Sequence, residues 1–155
     1  MTLSLLYSVE REYAADIDTV WKAWTDAEAL EAWYHPTILE GLPGAFSSDA
    51  TVGGTWTVAV DVPMNNFVAY FWGRYTAVEH HKHLAHTMSY SQDAEEFAAR
   101  PADAPAHLVN VDFEARGEKT WVRFSQFGEM PEGQAEATKA GMESYFDSLE
   151  AYLTR

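Results

Sequence analysis

Three of the six tryptophans of this 155-residue chain fall inside Val20–Pro36, VWKAWTDAEALEAWYHP. Tryptophan is costly to expose and hard to bury whole, so such a cluster marks a fixed packing centre or the mouth of a pocket. Ile17, Val20, Trp21 and Trp24 stand at i, i+3, i+4 and i+7, one apolar stripe of a short helix for which Asp16 is the N-cap. The stripe breaks at Thr25-Asp26. Asp26 reads as the cap of a second helix, with Glu28 in its first turn, Leu30 and Trp33 on its buried side and Pro36 ending it.

Most of the remaining chain alternates with the two-residue period of strands. Leu6–Tyr13 places Tyr7, Val9 and Tyr13 on one side. Leu39–Val52 reads as a loop, and Gly53-Gly54 opens a strand over Thr55–Val62 with Trp56, Val58, Val60 and Val62 on one face. Phe67–Glu79 is apolar or aromatic on both faces, which implies cover on both sides or a subunit contact, the simplest closed form being a homodimer. Leu84–Tyr90, Val109–Ala115 and Lys119–Phe127 are further strands. Ser91–His107 is a polar connection with one helical turn near Ala94–Arg100. Pro131–Leu153 is a long helix whose apolar side carries Thr138, Met142, Tyr145, Phe146, Leu149, Tyr152 and Leu153. The order implies an α+β fold in one domain, residues 1–155: a curved antiparallel sheet wrapped around the last helix, with two short helices after the first strand.

Bulk properties remove several function classes. The formal net charge of −14, from 24 acids and 10 bases, repels phosphate backbones and anionic membranes, so neither nucleic acid nor membrane is expected as a partner. The absence of cysteine removes disulfides and thiol chemistry and fits the cytoplasm. The N-terminus lacks a basic region followed by a long apolar run, so no secretory leader is read there.

Local motifs offer little catalytic chemistry. His80, His81, His83 and His86 invite a metal reading, but they straddle a turn, and their side chains are expected to splay; no metal and no cofactor is assigned. The acid pairs Glu10/Glu12, Asp16/Asp18 and Glu95/Glu96 suit caps and exposed faces. No G-x-S-x-G turn and no phosphate loop occurs, and no catalytic residue is assigned.

Arg11, Val20-Trp21, the run Ala23–Asp26, Leu30, Trp33–Pro36, Gly53-Gly54, Gly73-x-Tyr75 with Val78-Glu79, Gly117 and Thr120, and a closing helix around Gly141, Leu149 and Leu153 together span nearly the whole chain. In this order they resemble the helix-grip superfamily of START and birch-pollen-allergen-like proteins. Within it they resemble bacterial relatives of the C-terminal domain of the activator of the ninety-kilodalton heat-shock protein ATPase. The family often has Pro where Asp16 stands, Arg where Thr51 stands and Trp where Tyr34 stands, and the connection Ser91–His107 is long. The resemblance implies a hydrophobic-ligand cavity and supplies no catalytic set.

Strand and helix parity define an inward set facing that space. The candidate ligand-binding residues are Trp56, Val58, His86, Met88, Tyr90, Phe113, Phe124, Gln126, Met142, Tyr145 and Phe146, with Trp33 and Tyr34 at the mouth. Gly141, inside the last helix, leaves room beside it. The leading expectation is binding of a small apolar or aromatic molecule. The rivals are a polyketide-cyclase-like enzyme using His86 or Tyr90, and a stress-related co-chaperone that stimulates an ATPase.

Overall fold

The computed structural model describes residues 4–155. Residues 1–3, the start of the expected domain and of the stretch read for a leader, lie outside the described residues. Strand β1 (Ser4–Tyr13) leads into helices α1 (Ile17–Thr25) and α2 (Ala27–Trp33). Two short strands, β2 (Glu40–Gly41) and β3 (Ser47–Ser48), precede β4 (Thr55–Val62), β5 (Phe67–Glu79) and β6 (His83–Ser91). Helix α3 (Ala94–Ala99), β7 (His107–Arg116), β8 (Lys119–Gly128) and helix α4 (Gln134–Leu153) complete the chain. The strands form one antiparallel sheet in the order β1-β8-β7-β6-β5-β4-β2, with β3 also on β4. The sheet curls around α4, so the α+β helix-grip architecture holds. Among the described residues, no helix is long and apolar enough to cross a membrane.

The break between α1 and α2 turns on one residue. The Asp26 N–H donates to Lys22 O at 2.9 Å and closes α1, while its carboxylate accepts from Ala29 N at 3.1 Å and opens α2. Asp16 caps α1 through Thr19 N at 2.9 Å. Each cap is worth about 1 kcal/mol. The paired helices deliver Trp24 and Trp33 edge to face, with centroids 4.7 Å apart. Trp33 Nε1 donates to Ala23 O at 2.7 Å. Trp24 meets Phe113, Phe124 and Phe146 from the sheet and α4, so this cluster is the packing centre.

Two details depart from the sequence reading, and a third is the cover it expected over β5. The expected loop Leu39–Val52 contains β2 and β3, which pair with the edge of β4 away from β5, and Thr57, buried on β4, donates to Ala45 O of the connecting loop at 2.9 Å. Helix α4 begins at Gln134, three residues after Pro131. On the outward face of β5, Tyr70 stacks on Phe97 of α3 at 4.8 Å, and Phe97 also meets Trp72 at 6.2 Å. The long connection therefore folds back as a cover over that aromatic face.

Helix α4 is fastened to β1 by Arg11, whose guanidinium lies 2.7 Å from Asp147 and 3.3 Å from Glu143, and by the Tyr13 hydroxyl, which donates to Phe146 O at 3.1 Å. These ties set the spacing between helix and sheet.

Candidate ligand-binding site

Between the sheet and the N-terminal half of α4 lies a cavity of about 860 Å³. The helix presents Gln134, Thr138, Gly141, Met142 and Tyr145 to it. The sheet wall is Tyr7 from β1, Phe71 from β5, Met88 and Tyr90 from β6, His107 from β7, and Gln126 and Gly128 from β8. Tyr34, at the end of α2, forms the boundary with the packed core: its ring meets Tyr145 at 5.0 Å on one side and Trp33 and Trp56 at 5.2 and 5.8 Å on the other. Pro105 and Ala106 on one side, and Glu129, Met130 and Pro131 on the other, edge the mouth.

A hydrogen-bond chain of fixed polarity crosses the wall. The Tyr7 hydroxyl donates to Gln126 Oε1 at 2.5 Å, so the Gln126 amide donates to His107 Nδ1 at 2.7 Å. His107 Nδ1 is thereby the acceptor, and its Nε2–H donates to Glu129 O at 3.2 Å. Gly128 makes this possible, because a Cβ there would lie 2.4 Å from His107 Cδ2. Burial pushes the pKa of Tyr7, Tyr34 and Tyr145 well above the ordinary phenol value. The Tyr145 phenolate would further repel those of Tyr7 and Tyr34, so these hydroxyls stay protonated. The lining thus offers neutral donors set in aromatic and thioether walls. Among the described lining residues, Glu129 alone carries a formal charge.

Of the thirteen residues expected to contact a ligand, the structure brings Tyr34, Met88, Tyr90, Gln126, Met142 and Tyr145 to the cavity. Trp33 is fully buried against Trp24 and stands behind Tyr34, away from the mouth. Phe113, Phe124 and Phe146 are spent on the Trp24 cluster, and Val58 is wholly buried. His86 faces inward as parity predicts, but Trp56 stacks on it at 4.0 Å and Tyr75 closes its edge at 5.9 Å. Its Nδ1–H donates to Thr87 O at 2.8 Å, and burial lowers its pKa to about 4. Gly73, in register with Trp56, is required at this point: a Cβ would lie 1.8 Å from Thr87 O. The C-terminal half of α4 packs Phe146 and Leu149 into the core while its N-terminal half faces the cavity, which divides the inward set into core and cavity.

Tyr7, Phe71 and His107 line the cavity without having been counted towards the site. Tyr7 and Phe71 lie on strand faces already legible in the alternation. His107 is the first residue of β7 and shares parity with Val109 and Val111; the polar connection before it masked that signal. Gly141 stands between Thr138 and Tyr145 on the cavity stripe, and a Cβ there meets nothing within 4 Å.

The fold recurs in solved structures. A protein from Chromobacterium violaceum superposes with a TM-score of 0.78 at 17% identity, covering 96% of this chain and 97% of its own. A protein from Arthrobacter aurescens gives 0.76 at 24% identity, over 95% and 84%. DynU16, from the dynemicin biosynthetic locus, gives 0.68 at 20% identity over 95% of this chain and 46% of its own. No curated protein matches the sequence. The family described as "Activator of Hsp90 ATPase homolog 1-like protein" matches residues 14–154, and the chain, with its helix-grip sheet and closing helix, belongs to that family.

Proposed function

We propose that this protein binds a small, neutral, apolar or aromatic molecule in the cavity between the sheet and α4, without transforming it. The observation that carries this reading is the lining itself: about 860 Å³ walled by aromatic rings and methionines, with Tyr34 and Tyr145 side by side in it, ring centroids 5.0 Å apart. The volume suits a drug-sized ligand, and a few placed polar groups in an apolar wall are what orientation needs. With Glu129 as the charged neighbour and a chain of net charge −14, an anionic ligand has no counter-ion here. The Tyr34 and Tyr145 hydroxyls favour a ligand bearing a carbonyl, ether or hydroxyl oxygen.

Binding is favoured over catalysis by the state of the candidate bases. His107 has both nitrogens engaged, His86 is walled off by Trp56, and the Tyr90 hydroxyl, half exposed at the mouth, accepts from Gln92 Nε2 at 2.8 Å. None is poised to take a proton from a substrate. The test is organic extraction of the purified protein followed by mass spectrometry, with quenching of tryptophan emission by neutral polycyclic aromatics. Saturable quenching at one molecule per chain is expected; an interior indifferent to every such compound overturns the reading.

A further inference from the structure

We infer that Asp18, His80 and His81 form a binding site for one divalent transition-metal ion. One ligand atom from each lies within 4.8 Å of the other two. The site joins the first turn of α1 to the β5–β6 turn. It lies at the opposite end of β6 from Met88 and Tyr90, roughly 20 Å from the cavity at 3.3 Å per strand residue.

The histidine pair is held in place before any ion arrives. Lys82 N donates to Glu79 O at 2.9 Å and Phe113 N donates to Lys82 O at 2.9 Å, pinning the turn on both sides. His81 adopts φ +65°, a left-handed conformation that histidine tolerates better than most residues. The His80 and His81 rings stack at 3.7 Å, and both rest against the edge of Trp21, at 5.4 and 6.0 Å. Asp18 Oδ1 lies 2.7 Å from His81 Nε2, yet that nitrogen is buried without a hydrogen bond, because the carboxylate approaches off the N–H direction. A shared cation beside the carboxylate would satisfy all three groups, including the His81 nitrogen that lacks a hydrogen bond. Ligands about 2 Å from a tetrahedral ion stand about 3.3 Å apart, so the Asp18–His81 contact opens by about half an ångström on binding.

Two imidazoles and one carboxylate select zinc, cobalt, nickel or copper over magnesium or calcium, which prefer all-oxygen sites. The acidic chain raises the local concentration of such cations. Bridging α1 to the hairpin, the ion also staples the fold.

The experiment is isothermal titration of the full chain, carrying no affinity tag, with zinc chloride, repeated with cobalt chloride followed by visible absorbance. Expected are one saturable site in the micromolar range and a rise in thermal midpoint of about 5–10 °C at a hundredfold excess over Kd. Asp18→Asn, His80→Ala and His81→Asn each weaken binding at least tenfold, asparagine being chosen at His81 because it also accepts positive φ. His83→Ala leaves it unchanged, that ring being committed to Asp112 at 2.8 Å. Circular dichroism checks that each variant is folded. No saturable uptake, or uptake indifferent to all three substitutions in folded protein, overturns the assignment.

Discussion

The Tyr7 hydroxyl donates to Gln126 Oε1 at 2.5 Å, tying β1 to β8 inside the cavity and, through His107, to the loop before α4. Because Gln126 can offer His107 an N–H only while its oxygen faces Tyr7, this bond fixes the polarity of the whole chain. The wall is therefore presented to a ligand in one state.

Breaking that chain has a non-additive cost. Tyr7→Phe leaves the Gln126 oxygen unpaired, and Gln126→Leu leaves His107 Nδ1 unpaired, each costing about 1–3 kcal/mol. Urea unfolding of the two single variants and the double is expected to show a coupling of about 1 kcal/mol, as for residues within one network. Gly128→Ala, which drives a Cβ into the His107 ring, is expected to destabilise to a similar degree.

The buried histidine makes stability fall on the acid side. His86 has a folded pKa of about 4 against an ordinary value of 6.5, so the unfolded chain binds the extra proton. Its contribution is complete above about pH 6.5 and is lost as pH falls to about 4, amounting to roughly 3 kcal/mol. His86→Phe keeps a ring against Trp56 and removes the titration. The stability difference between wild type and this variant, measured by urea unfolding from pH 7.5 to 4.5, is expected to shrink and then reverse as pH falls.

The two central tryptophans are not equivalent. Trp33→Phe loses the bond to Ala23 O and leaves that carbonyl buried, whereas Trp24 Nε1 has no partner to lose. Thermal or urea unfolding is expected to show a loss of about 3 kcal/mol for Trp33→Phe and about 1 kcal/mol less for Trp24→Phe.

Helix α3 shields the aromatic outer face of β5. Phe97→Ser strips the ring stacked on Tyr70, and light scattering is expected to show more self-association in this variant than in the wild type at equal concentration.

Periodicity carried most of the architecture. The stripe Ile17–Trp24, the cap at Asp26 and the two-residue alternation of the long strands each satisfy a local rule, so both short helices and most of the sheet were legible. The short strands β2 and β3 were not, because two-residue pairings on the edge of β4 leave no repeat to read. Parity gave the right face for Met88, Gln126, Met142 and Tyr145, but it cannot say how far α4 fills the curl. For that reason His86, Trp56 and Phe124 were placed on the ligand's side of a boundary that only packing defines. The Asp18–His81 contact joins elements far apart in the chain, and no spacing rule reaches across that gap.

The central claim, a ligand cavity beside α4, is tested most directly at Gly141. A leucine there projects into open space between Thr138 and Tyr145, and replacing a mid-helix glycine with leucine favours the helix by up to about 1 kcal/mol. Wild type and Gly141→Leu are titrated with aminoanthracene, a neutral polycyclic probe, following its emission alongside the thermal midpoint of each protein. The account predicts saturable one-to-one binding to the wild type and at least tenfold weaker binding to the variant, whose midpoint is equal or higher. Equal affinity for both proteins, or no saturable binding to the wild type, would contradict it.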